Sequence, residues 1–250
     1  FTIVRMDSAL ITVRSQSSRL PNKCFLEFGE FSVIEHIIKR TLHYNLSPIV
    51  CTTNAKEDIE IVNICKLLGV KYFCGSSINK LQRWRDCCRE YKIELFHTVD
   101  ADDLFFCGEE VKRSLDLLRS GFDMVSPTPS ASRGGCTVGF SLRSEIVEKA
   151  CSEIPESTDT EMMWNFIKKI KDARIITLND PSDSIITERM TLDYLEDYNM
   201  LCKLRMIVGN LGTRHEIAKA LKNHPELSKI NFFRNEQWLN NQRKKSNEII

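Results

Sequence analysis

A chain of 250 residues, 42% hydrophobic and 28% charged, can bury one core as a single domain with at most a small appendage, which excludes disordered and fibrous classes. Its 35 Lys and Arg offset 34 Asp and Glu, leaving +1, so no overall field recruits nucleic acid or an anionic membrane surface, and any anion site has to be local. The early apolar run Ala9 to Val13 is far below the ~20 residues of a membrane span and follows no signal-peptide pattern, so a cytoplasmic chain without membrane insertion is expected.

The predicted elements alternate. Ala9–Val13 reads as a strand and Phe31–His43 as an amphipathic helix with its stripe at Val33, Ile34, Ile37, Ile38 and Leu42. Pro48–Thr53 is a strand, Lys56–Leu68 a helix, Val70–Cys74 a strand, Asn79–Tyr91 a helix, Leu95–Val99 a strand, and Gly108 to Ser120 a helix. Strands alternating with helices of this length form βαβ units and a parallel sheet.

Beyond Gly121 the pattern loosens. Met124–Thr128 and Cys136–Leu142 read as strands around the polar loop Pro129–Gly135, Arg143–Ser152 and Thr160–Lys169 as helices, and Ile175–Leu178 and Ser184–Leu192 as extended. Helices Leu195–Val208 and Arg214–Leu227 precede a polar tail. The expected organisation is one α/β domain over residues 1–235, with an insertion at about 129–170 and a C-terminal tail over 236–250.

Ten cysteines follow no repeated spacing. Cys51, Cys65, Cys74, Cys151 and Cys202 fall where a small buried hydrophobe belongs. Cys87, Cys88, Cys107 and Cys136 form no C-x-x-C and have no histidine at ligand spacing, so a reduced chain without a zinc centre is expected.

Ligands of an open parallel sheet bind beyond the carboxyl ends of its strands. The first such end carries Arg14-Ser-Gln-Ser-Ser-Arg-Leu-Pro-Asn-Lys23, whose interleaved hydroxyls and cations suit phosphate oxygens. A solvated basic loop is the plainer alternative, and no G-x-x-x-x-G-K-[ST] is present. The strand Leu95–Val99 ends in Asp100-Ala-Asp-Asp103, carboxylates that repel one another unless a cation sits among them; Mg²⁺ fits, and a helix-capping role for Asp102 or Asp103 is the alternative. A third acidic group, Arg189-Met-Thr-Leu-Asp193-Tyr-Leu-Glu-Asp197, reads as a strand end with Asp193 as N-cap and Glu196 completing a capping box.

These stretches, in order, resemble a known family. V-R-S-Q-S-S-R-L-P-N-K is similar to the A-R-x-x-S-x-R-L-P-x-K signature of CMP-sugar synthetases, the 3-deoxy-manno-octulosonate and acylneuraminate cytidylyltransferases, and most similar to the spore coat polysaccharide biosynthesis protein F group. Ser76–Trp84 resembles that group's G-S-x-x-N-V-L-x-R-Y segment, V-D-A-D-D its V-D-G-D-D-P, R-M-T-L-D-Y-L-E-D its R-x-T-L-D-Y-P-E-D, and His224–Asn231 its H-P-E-L-x-x-x-N. The similarity runs from about residue 9 to 235.

The resemblance implies a Rossmann-like nucleotide-diphospho-sugar transferase fold, a homodimer, and Mg²⁺-dependent transfer of CMP from CTP to a sugar acid in surface polysaccharide synthesis, with pyrophosphate released. Carried onto matching positions, Arg14, Ser15, Ser17, Ser18, Arg19 and Lys23 hold the triphosphate, with Arg19 and Lys23 catalytic. Asp102 and Asp193 bind Mg²⁺, while Arg83 and Asp100 face the nucleotide. Arg133, Glu161 and Arg189 are the acceptor candidates, with Arg143 behind them. Asn22, Ala101 and Leu104 replace family Gly, Gly and Pro, which touches loop geometry more than charge; Asn tolerates left-handed backbone. His97, Trp84 and Trp164 read as packing residues. Three other readings keep the fold: a nucleotidyltransferase for a phosphorylated or phosphonate acceptor, a non-catalytic nucleotide-binding member, and a glycosyltransferase-like enzyme. Arg19, Lys23, Asp102 and Asp193 aimed at one point argue against the second, and a cradle suited to free triphosphate argues against the third.

Overall fold

The computed structural model describes residues 6–247. Strand β1 (Asp7–Thr12) lies between β4 (Leu46–Thr53) and β6 (Leu95–Asp100), parallel to both, and β5 (Lys71–Gly75) extends the parallel run beyond β4. β8 (Ser141–Arg143) pairs antiparallel with β6 and with β7 (Met124–Ser126), and β9 (Ile175–Thr177) returns parallel to β7, giving the seven-strand order β5-β4-β1-β6-β8-β7-β9. A two-stranded ribbon, β2 (Glu27–Phe28) with β3 (Phe31–Ser32), follows the β1 loop.

Alternation along the strands divides the core by sheet face. Ala9, Ile11 and Val50 meet α1 (Val33–His43), α2 (Ile59–Leu68) and α4 (Gly108–Arg119) on one side. Leu10, Ile49 and Phe96 meet α3 (Lys80–Tyr91), α5 (Ser144–Ser152) and the short α6 (Trp164–Ile167) on the other. A third cluster sets Leu201 and Leu204 of α7 (Leu195–Val208) and Ile217 of α8 (Arg214–Asn223) against Phe28 and Leu104, near the short α9 (Ser228–Asn231). Local caps fix the helix starts: Ser32 and Glu35 form a reciprocal box on α1, and Asn79 accepts from the Gln82 amide at 2.9 Å on α3.

The second half departs from expectation in four places. Residues 136–140 are irregular, and the strand is confined to Ser141–Arg143 because it pairs only where it lies between β6 and β7. The helix expected over Thr160–Lys169 shrinks to Trp164–Ile167, since the Thr160 hydroxyl is spent on the Leu81 amide and Asn79 at the start of α3. Residues 184–192 form no strand. The polar tail is mostly the helix α10 (Arg234–Asn247). Among the described residues no helix is long and apolar enough to cross a membrane.

Candidate active site

A cavity of about 1020 Å³ opens over the carboxyl ends of β1 and β6. The loop after β1 turns back where the Asn22 amide donates to the Ser15 carbonyl at 3.1 Å, with Asn22 in the left-handed region at φ 57°. That turn sends Lys23 inward, where it is 9% exposed.

Two other chain segments meet on its ammonium. Lys23 Nζ lies 2.7 Å from Asp102 Oδ2, 3.2 Å from Asp193 Oδ1 and 2.8 Å from the Leu192 carbonyl. The backbone enforces the meeting, because the Leu192 amide donates to the Asp102 carbonyl at 2.9 Å. Arg19 Nη2 reaches the same Asp193 oxygen at 2.6 Å. Behind Asp193, Arg189 forms a two-pronged pair with Asp197, whose Oδ2 accepts the Asp193 and Tyr194 amides at 3.0 and 2.9 Å. The helix therefore caps at Tyr194 with Asp197, one residue later than Asp193 with Glu196; this leaves the Asp193 carboxylate free to face the cavity. Glu196 instead pairs with Arg234.

Charge is finely divided here. Burial pulls the Lys23 ammonium down, but Asp102 and Asp193 outweigh it and its pKa is raised. Asp193 is pushed up by burial and pulled further down by Lys23, Arg19 and Arg189, so it titrates below an ordinary aspartate. Asp102 rises to about 6, chiefly through burial against the attraction of Lys23, and Asp103 rises through burial and repulsion from Asp100 and Asp102. Among the described residues no three His, Cys, Asp or Glu side chains form a ready metal cluster. Two carboxylates converging on one cation are nonetheless the hard-oxygen donor set that magnesium takes alongside substrate phosphates, so the residues fit that ion.

Of the expected site residues, Arg14, Ser17, Ser18, Arg19, Lys23, Arg83, Asp100, Asp102, Glu161 and Asp193 line this cavity. Arg14 and Glu161 pair across it at 3.4 Å. Asp100 meets Lys80 at 3.0 Å, and Arg83, 4% exposed, donates from Nη1 to the Ser76 carbonyl while its buried Nε has no partner among the described residues.

Four expectations are corrected. Ser15 faces away: its amide and hydroxyl donate to Asp58 Oδ1 at 2.7 and 2.6 Å, making it an anchor of the loop. Arg189 has a fully buried side chain committed to Asp197 and cannot meet an acceptor. Arg133 is exposed, donates to the Pro129 carbonyl at 3.1 Å and is not part of the cavity wall. Arg143 ties the Phe122 and Leu118 carbonyls, each at 2.9 Å. His97 is a core residue between Ser141 and Gly139, and Trp84 donates to Thr12 inside the sheet. Trp164, by contrast, stacks on Phe140 at 5.7 Å and lines the cavity.

Lys80, Lys168, Trp238 and Lys244 also line it and escaped sequence reading. Lys80 had a signal, since it stands where the related segment has Val. The others lie in stretches whose placement depends on long-range packing.

Residues 8–113 match the family model described as Cytidylyltransferase. An uncharacterized protein of Methanocaldococcus jannaschii is 27% identical over 229 residues, covering 89% of this chain and 93% of its own length. A cytidylyltransferase from Leptospira borgpetersenii superposes with a TM-score of 0.78 at 20% identity, covering 89% of this chain and 97% of the other. CMP:2-keto-3-deoxy-manno-octonic acid synthetase, solved with CTP, gives 0.63 at 14% identity, covering 81% and 99%. The chain has the α/β fold of these proteins, and the first part of it matches the cytidylyltransferase model.

Proposed function

We propose that the chain transfers CMP from CTP to a hydroxyl of a sugar acid of the 3-deoxy-manno-octulosonate or nonulosonate type and releases pyrophosphate, serving surface polysaccharide synthesis. The observation that carries this reading is the Lys23 ammonium between Asp102 and Asp193, with Arg19 alongside, at the base of a cavity lined by a hydroxyl-rich loop.

Ser17, Ser18 and Arg14 orient the triphosphate along the loop, and Arg83 adds positive charge to the same cavity. The acceptor oxygen forms a bond to the α-phosphorus as the bond to the bridging oxygen breaks, and Arg19 and Lys23 take up the charge gathering on pyrophosphate. Magnesium would be held by Asp102 and Asp193 and would neutralise the α-phosphate while favouring the ionised acceptor hydroxyl. Asp197 and Arg189 keep Asp193 in position.

Pyrophosphate release tests the reading with CTP, UTP, ATP and GTP, each offered with sugar acids and with phosphorylated acceptors. Release from CTP that depends on a sugar acid and disappears in Asp102→Asn is the expected result. Release that follows another base or requires a phosphorylated acceptor replaces the corresponding half of the proposal.

A further inference from the structure

We propose that the β7–β9 end of the cavity is the acceptor subsite, that Lys168 and Lys244 hold the acceptor's anionic group there, and that α10 is its outer wall. The inference rests on the CMP-transfer reading and names residues for its second substrate.

The cavity is wider than its phosphate-binding end. Strands lie about 4.8 Å apart, so the four steps from β1 through β6, β8 and β7 to β9 span about 19 Å. Ser126 of β7 and Ile175 and Thr177 of β9 belong to the same cavity wall as Arg19 and Lys23. At about 1020 Å³ it stands at the upper end of ligand pockets, a size suited to two substrates side by side.

The two ends differ in their charge partners. At the cradle, Arg14, Arg19, Lys23 and Lys80 each have a carboxylate within 3.4 Å. Lys168 and Lys244, on the same cavity, have no carboxylate partner among the described residues. On the same cavity the parallel Phe140 and Trp164 rings, with an interplanar angle of 10°, offer a flat apolar surface one helical turn from Lys168, and the Thr177 and Ser126 side chains add hydroxyls. Unneutralised ammonium groups beside an aromatic face and hydroxyls suit a hydroxylated molecule carrying a carboxylate or phosphoryl group.

Helix α10 is positioned by contacts that lead back to the catalytic carboxylates. Arg234 pairs with both oxygens of Glu196 at 2.9 and 3.2 Å and lies 4.8 Å from the Tyr194 ring centre. Arg189, the partner of Asp197, lies 5.5 Å from the Trp238 ring centre. Trp238, Asn241 and Lys244, three residues apart along the helix, line the cavity together with Leu239. A helix that is otherwise polar is thereby docked with a cation and an indole over the substrate space.

The test uses the full chain with Lys168→Ala, Lys244→Ala and Lys244→Arg. CTP affinity in the presence of Mg²⁺ is read by calorimetry, and KM by pyrophosphate release with 3-deoxy-manno-octulosonate, N-acetylneuraminate and glycerol phosphate. The subsite predicts CTP affinity within about twofold of wild type, KM for the working acceptor raised at least about tenfold by each alanine, and recovery in Lys244→Arg. Which acceptor works tells a carboxylate from a phosphoryl group. Unchanged KM in both alanine variants, or a matching fall in CTP affinity, overturns the subsite while leaving the transfer reading standing. A wild-type chain that turns over none of the three overturns the transfer reading and the subsite with it.

Discussion

Arg189 and Asp197 close a two-pronged ion pair, Nε to Oδ1 at 2.8 Å and Nη2 to Oδ2 at 2.9 Å, with both side chains fully buried. Asn231 Nδ2 adds a third donor to Oδ1 at 3.0 Å, so the pair joins α7, α9 and the segment leading to Asp193. Arg189→Met strands the Asp197 charge in the interior and should cost about 3 to 5 kcal/mol of stability. Denaturant unfolding checks this; a loss below about 1 kcal/mol would mean that the backbone amides and Asn231 satisfy Asp197 alone.

Lys23 does for the site what the proposed Mg²⁺ would do once nucleotide is bound: it sets a cation between Asp102 and Asp193. In Lys23→Met, Asp102 and Asp193 face each other without a cation between them, so the melting temperature should fall without Mg²⁺ and recover more on adding it than wild type does. Pyrophosphate release should drop about 10²- to 10³-fold, the usual cost of one electrostatic donor to a developing anion. Equal Mg²⁺ responses in the two proteins would count against metal binding between these carboxylates.

Asp58 deserves a test as a positioning residue. Its Oδ1 accepts the Ser15 amide and hydroxyl and its Oδ2 the Thr53 hydroxyl, which pins the loop after β1 to β4. Asp58→Ala should weaken CTP binding about tenfold and cost about 1 to 3 kcal/mol, because the Ser15 amide is left buried and unpaired. Calorimetry with CTP and unfolding of the apo chain read the two effects separately.

Two buried imidazoles give stability a pH dependence. Burial lowers His36 to about 4 and His97 to about 3. His97 accepts the Gly139 amide at Nε2, which puts the proton on Nδ1 toward Ser141 and fixes the neutral form. In the unfolded chain both protonate near pH 6.5. Below that pH the unfolded state binds more protons, so stability falls by up to about 1.4 kcal/mol per pH unit for each histidine until the folded values are reached; above it their contribution is flat. Unfolding midpoints at about pH 7.5 and about pH 5 should differ accordingly, with a shallower dependence in His97→Gln.

The first half was legible because its signals are local. Ser32 with Glu35 and Asn79 with Gln82 start their helices by contacts three residues long, and the apolar stripe of α1 needs nothing beyond the helix itself. Charged strand ends after β1 and β6 likewise marked residues that the fold brings to one cavity. The second half depends on partners far along the chain. A three-residue strand such as β8 takes its direction from β6 and β7, and nothing in Ser-Leu-Arg states that it runs antiparallel. Arg189 reads as an acceptor candidate when the helix start is placed at Asp193 capped with Glu196, which leaves Asp197 without a role and its pairing with Arg189 out of view. Helix α10 was hidden by polarity, since its place is set by Arg234 on Glu196 and Trp238 beside Arg189 rather than by an apolar stripe.

The most direct test of the account is calorimetric titration of the wild-type chain with CTP and with the other three nucleoside triphosphates in Mg²⁺, repeated on Lys23→Met. Saturable binding that favours CTP and weakens in the variant is the predicted result. A chain that binds none of the four, or binds CTP equally well without Lys23, contradicts the claim that this loop and these carboxylates form a nucleotide site.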